Sequence, residues 1–195
     1  SGKTTVFEIL LQGAGTAAAG RENIGVVRVP DERIDRLSGL FQPKKTTYTQ
    51  IQFVESAAAG AGRAAHKGGD LFAGVRNCDA LVAVVRGFEN PAAPAEDGVD
   101  PERGLRTIEA ELILNDLAIV ETRIERIEKE LKVGKRQGEA EHALLQRIKT
   151  GLEAEHPLRE TTFEPEAGKL LRGFQLLTLK PLLVLYNQDE SSKHV

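Results

Sequence analysis

The sequence predicts an α/β domain with a mainly parallel sheet and an inserted antiparallel helical hairpin. Three observations carry this. Short β-rich runs alternate with helical patterns along most of the chain, the order that a parallel sheet with crossover helices requires. A Gly2-Lys3-Thr4 tripeptide stands directly before the first helical pattern. Ile113, Leu117, Val120, Ile124, Ile127 and Leu131 are spaced 4, 3, 4, 3, 4, a heptad seam that a single helix cannot bury alone.

The elements follow in order. Residues 3–12 place Val6, Ile9 and Leu10 on one face of a helix that stops at Gly13-Ala14-Gly15. Residues 13–22 are small and polar and read as a loop. Ile24 to Val29 reads as a strand. Pro30-Asp31 then ends it and caps a helix with Ile34, Leu37 and Phe41 on one face. Tyr48 to Val54 is rich in β-formers and predicts a second strand. Residues 56–69 form a long Gly/Ala-rich loop, and a short helix is expected at about 70–77. Ala80 to Val85 is a continuous apolar run, which suits a strand buried on both faces. Residues 90–101 hold three prolines and read as a linker.

The heptad helix comes next, with a turn at Val133 to Gly138. A second helix carries Ala140, Leu144, Ile148 and Leu152 on one stripe and stops at Pro157. The two stripes predict a hairpin over 105–156. A helix at about 165–173 and a buried strand at Leu182 to Tyr186 complete the order.

Composition bounds the function. The 195 residues are 41% hydrophobic and 28% charged, a balance that excludes full disorder and fibrous repeats. Lys+Arg number 26 against 29 Asp+Glu, for a net charge of −3, so no global field draws the chain to nucleic acid and no DNA partner is expected. A single cysteine, Cys78, excludes an intrachain disulfide and a Cys-cluster zinc site, and reads as a packing residue. His66, His142, His156 and His194 have no metal-ligand spacing. No apolar run approaches the ~20 residues of a membrane span. Neither a leader nor a membrane partner is expected, and a cytoplasmic location fits.

Gly2-Lys3-Thr4 is the end of G-x-x-x-x-G-K-[ST], the phosphate-binding loop. In that loop, backbone N–H groups at a helix N-terminus hold phosphate oxygens. Lys3 would put positive charge on the β/γ-phosphates, and the Thr4 hydroxyl would ligate Mg²⁺. Alone, the tripeptide reads equally as a helix N-terminus with a solvated lysine. The strand and first glycine that belong before Ser1 are missing, and the chain contains no methionine. A chain cut from a longer protein is therefore expected, with a central gap in its sheet where the first strand belongs.

Several segments together resemble the Obg-like ATPase (YchF) family of P-loop NTPases. Asn23-Ile24-Gly25-Val26-Val27-Arg28-Val29-Pro30-Asp31-Glu32-Arg33 is similar to that family's N-x-G-V-V-x-x-P-D-x-R stretch. Val84 to Asn90 resembles its V-V-R-C-F-E-N segment, and Glu111 to Leu117 its E-L-x-L-x-D-L helix. Leu177-Thr178-Leu179-Lys180-Pro181, six residues before Asn187, is similar to its L-T-L-K-P.

The resemblance runs, patchily, from residue 1 to about 190. It implies a Ras-like P-loop NTPase domain, incomplete at both ends, made of 1–100 and 157–195. A helical coiled-coil hairpin is inserted at 101–156. The family also carries a C-terminal TGS domain that this chain does not contain. A ribosomal or translation-related partner is implied by analogy. The Lys132/Lys135/Arg136 cluster at the hairpin tip could meet RNA or a ribosomal protein, and otherwise is a soluble turn.

The resemblance also implies the base contacts. GTPases use N-K-x-D, whose aspartate accepts hydrogen bonds from guanine N1–H and the N2 amino group; adenine has neither donor. Asn187-Gln188-Asp189-Glu190 reads as the family's ATP-tolerant N-x-x-E. Asn187 would contact the base, and Glu190 stands at the guanine-reading position. Asp189, one position off, keeps GTP as a weaker ligand. The nucleotide-binding residues implied are Gly2, Lys3, Thr4, Thr5, Asn187 and Glu190, with Thr4 and Glu55 at the metal. No catalytic residue is assigned.

Three departures bear on activity. The family's D-x-x-G is Glu55-Ser56-Ala57-Ala58 here. Glu55 is one methylene longer than the Mg²⁺-linked aspartate, and Ala58 has the γ-phosphate N–H but not glycine's φ freedom. The switch threonine aligns near Ala19-Gly20, and only His66-Lys67-Gly68-Gly69 echoes the following glycine-rich stretch. Each loss removes transition-state electrostatics. The expectation is a protein that binds ATP in preference to GTP, with Mg²⁺, and hydrolyses it weakly or not at all. The alternatives are an active ATPase/GTPase with Glu55 replacing the aspartate, and a non-enzymatic interaction scaffold that uses the hairpin.

Overall fold

The computed structural model describes residues 2–11, 23–55, 72–91, 94, 98–133 and 138–189. The chain divides into two compact units, residues 2–75 and 76–195.

The first unit contains α1 (Lys3–Leu11), β1 (Asn23–Arg28), α2 (Glu32–Phe41) and β2 (Gln50–Glu55). β1 and β2 are antiparallel, with Asn23 opposite Glu55 and Arg28 opposite Gln50. Val29 N–H donates to the Thr49 carbonyl at 2.8 Å, which extends the ladder past the strands. Arg28 stacks 3.3 Å over the Tyr48 ring at the same end.

Asp31 caps α2 by accepting from the Arg33 backbone N–H at 2.9 Å. The Arg33 side chain returns to the same carboxylate and holds its pKa down to about 2. The helix ends at Gln42, in the left-handed region with φ 44. Its expected apolar face is not buried: Leu37 and Phe41 are 55% and 72% exposed. The short helix expected at about 70–77 is a single 3-10 turn, Ala73–Val75.

The second unit contains β3 (Leu81–Arg86), α3 (Pro101–Lys132), α4 (Glu139–Glu153), α5 (Pro165–Arg172) and β4 (Leu182–Asn187). β3 and β4 are parallel, from Leu81 opposite Leu182 to Arg86 opposite Asn187. This is the parallel pairing expected of the α/β class. Ala83, Val84 and Val85 are buried, but Val82 is 45% exposed and Leu183 64%. The expectation of strands buried on both faces therefore fails. Among the described residues these two strands pair as a sheet only with each other, so the sheet layer is too narrow to enclose both its faces.

Asp100 caps α3 by accepting from Arg103 N–H at 2.9 Å, and Pro101 fills the first helical position. Its 32 residues span about 48 Å. Ile113, Val120, Ile124 and Ile127 are buried, and Leu117 and Leu131 pack partly buried beside them. On α4 the buried stripe is Leu145, Ile148 and Leu152. It begins one residue later than the Ala140/Leu144 line, because the facing seam is met by Leu145 while Leu144 packs at its edge. Pairs Arg123–Glu141 and Lys149–Glu121 run in opposite senses along the two helices, which are therefore antiparallel. The core continues into Leu158, Leu171 and Leu176. Among the described residues no helix is long and apolar enough to cross a membrane.

α3 also buries a carboxylate. Asp116 is fully buried on α3. It accepts from Leu177 N–H at 2.8 Å, Thr178 N–H at 2.7 Å and Thr178 Oγ1–H at 2.7 Å. Burial pushes its carboxyl above the usual range, against the pull of these three donors. It ties α3 to the turn that leads into β4.

Arg123 clamps Glu141 through two bonds of 2.7 and 2.8 Å and holds its carboxyl below the ordinary value. A lowered folded pKa contributes stability above the unfolded value, which is lost as pH falls through the folded one. Glu141→Gln is therefore expected to lower stability by about 1 kcal/mol near neutrality. Thermal melts of the two proteins should converge as pH falls below about 4.

Candidate functional site

The first unit builds the start of α1 as a phosphate loop would require. Gly2 has φ 81, a left-handed backbone that glycine adopts without strain. Val6 N–H donates to the Gly2 carbonyl at 3.0 Å and closes the first turn. That turn has no acidic residue to oppose an anion. Lys3 is half-buried, while Thr4 and Thr5 are exposed.

α1 is seated differently from its expected face. Phe7 is buried, Leu11 is half-buried, and Ile9 and Leu10 are 58% and 41% exposed. The reason is Gly25, the buried residue of β1, whose missing side chain leaves the space that Leu11 occupies. Phe7 and Leu11, four residues apart, form the seated face.

Glu55 is the last residue of β2, and its carboxylate is held on both oxygens. Thr4 Oγ1–H donates to Glu55 Oε1 at 2.5 Å. Asn23 Nδ2–H donates to Glu55 Oε2 at 2.8 Å. The hydroxyl and the carboxylate assigned to Mg²⁺ from the sequence are thus in contact. Both are hard oxygen donors, the type that Mg²⁺ takes beside water and phosphate oxygens, so the residues fit that ion. Among the described residues no group of three or more His, Cys, Asp or Glu could hold a metal by itself.

Asn187 closes β4 in the second unit; its carbonyl accepts from Gly87 N–H at 2.7 Å. Asp189 is described, and Glu190 lies outside the described residues. So do Ala19-Gly20, Ser56 to Ala58, His66 to Gly69, Lys135, Arg136 and His194. Asn23 carried no role in the sequence reading, although it opens the N-x-G-V-V stretch. Its cross-strand partner could be known only once β1 and β2 were in register.

A left-handed glycine, lysine and threonine opening a helix, with an acidic strand end on the threonine, belong to a P-loop NTPase-type α/β fold. A solved structure bears this out: the YchF GTPase of Schizosaccharomyces pombe superposes with a TM-score of 0.76 at 28% identity, over 97% of this chain and 54% of that one. The Bacillus subtilis ribosome-binding ATPase YchF is 36% identical over 198 residues, covering 97% of this chain and 54% of the relative. Obg-like ATPase 1 of Oryza sativa subsp. indica is 34% identical over 168 residues, 84% of this chain and 43% of the relative. No family model matches. The chain is a homologue of the Obg-like ATPase (YchF) family, and spans about half the length of the curated relatives it matches.

Proposed function

We propose that this chain is the nucleotide-binding part of a YchF-type protein that binds Mg-ATP in preference to GTP and hydrolyses it weakly or not at all. The observation that carries the reading is the Thr4–Glu55 contact at the start of the helix that Gly2 and Lys3 open. Lys3 and the N–H groups of α1 would take the phosphates. Thr4 and Glu55 would hold Mg²⁺, which when bound neutralises phosphate charge. Asn187 would meet the base. Glu190 replaces the aspartate that reads guanine, which supports adenine.

Residues 1–100 and 157–195 would form the nucleotide domain, with 101–156 as an inserted hairpin. Ribosome binding, named for the bacterial relatives, is proposed here through that hairpin. A cytoplasmic location would go with that partner. Slow hydrolysis rests on Ala58 and on the absence of a hydroxyl at Ala19-Gly20. The reading of an active NTPase draws on the same contact, since Glu55 does reach Thr4.

Displacement of a fluorescent ATP analogue, paired with single-turnover phosphate release, tests both parts. ATP should displace at about tenfold lower concentration than GTP, and no burst of phosphate should follow. Vigorous Mg²⁺-dependent release would establish the active reading instead. Equal displacement by ATP and GTP would remove the base assignment.

A further inference from the structure

We propose that Asn23 is a positioning residue for the metal-binding arm of this site: it holds the Glu55 carboxylate against Thr4. The inference rests on the nucleotide-binding reading above. Glu55 carries one more rotatable bond than an aspartate, so its carboxylate has more places to be and needs something to fix it. Asn23 stands directly opposite in the antiparallel ladder. Its amide takes Oε2 at 2.8 Å, which leaves Oε1 on the Thr4 hydroxyl at 2.5 Å. One carboxylate oxygen is anchored to the sheet, and the other is presented beside the second hard donor.

The chemistry suits an amide. It donates a hydrogen bond and adds no charge. An aspartate at this position would set a second carboxylate against the first. An alanine would leave the arm to rotate. Partners of metal ligands act in this way generally, and their loss weakens metal binding by about 10- to 100-fold.

The test uses the full chain, with Mg²⁺ titrated at a fixed concentration of a fluorescent ATP analogue. Asn23→Ala should raise the half-saturating Mg²⁺ concentration about tenfold, and Asn23→Asp at least as much. In a Glu55→Asp background the shorter arm needs no anchor, so adding Asn23→Ala should change the Mg²⁺ requirement less than about twofold. Melting midpoints without metal or nucleotide give the control, since a merely structural strand-end pair would move these and not the Mg²⁺ requirement. The proposal is overturned if Asn23→Ala keeps the wild-type Mg²⁺ requirement. It is also overturned, with the nucleotide reading intact, if the wild type binds the analogue without regard to Mg²⁺. A wild type that does not bind the analogue at all overturns both.

Discussion

Asp116→Ala is expected to destabilise the second unit by about 3–5 kcal/mol, a large share of the roughly 5–15 kcal/mol that holds a domain together. The side chain is fully buried and is the acceptor for three donors, two of them backbone N–H groups of the turn at Leu177 and Thr178. Alanine leaves all three without that acceptor in a site closed to water. Asp116→Asn should cost less, about 2 kcal/mol, because its carbonyl still accepts while its amide faces a donor. Urea unfolding of the three proteins measures this. An Asp116→Ala protein within about 1 kcal/mol of wild type would mean that the turn finds other acceptors.

Gly25→Val is the second large effect, at about 3 kcal/mol. A Cβ at Gly25 would lie 2.2 Å from Leu11 Cδ2, 2.6 Å from Cδ1 and 2.9 Å from Cγ. The Leu11 side chain must leave its place or α1 must lift from β1. Because α1 also carries Lys3 and Thr4, its displacement would pull Thr4 from Glu55 and weaken nucleotide binding as well as folding. Leu11→Ala in the same chain should recover most of the stability, since it empties the space the valine needs. Denaturant midpoints and nucleotide affinity for the single and double variants check both parts. An undiminished Gly25→Val protein would show that α1 is not seated through Leu11.

The two long helices were legible because a heptad seam is a long, redundant signal: Ile113 to Leu131 repeat the same spacing over several turns. Pairing was not legible to the same degree. The strands at 23–28 and 50–55 were recognisable by composition, yet their antiparallel register, and with it the Asn23–Glu55 bond, depends on contacts far apart in sequence. The face of α1 was misread because hydrophobic spacing marks Val6, Ile9 and Leu10, whereas the partner's gap at Gly25 selects Leu11. The apolar run of β3 suggested a strand enclosed on both sides, but composition does not reveal how many neighbours a strand has.

Thr4 and Glu55, which the structure brings into contact, could be singled out beforehand because Thr4 belongs to a fixed motif and Glu55 stands at a strand end that a resemblance could align. Asp116 stood inside a quoted motif without a role. Its clue is position: it lies three residues after Ile113 and four before Val120, within the apolar stripe, where a carboxylate must have donors.

The most direct measurement is a calorimetric titration of the full chain with Mg-ATP, wild type beside Lys3→Ala. Saturable binding by the wild type, weakened about 100-fold or more in Lys3→Ala, is the predicted result, because a lysine on the β/γ-phosphates is a principal charge contact. Equal affinity of the two proteins, or no binding by the wild type, would contradict the assignment of the α1 N-terminus as a nucleotide site.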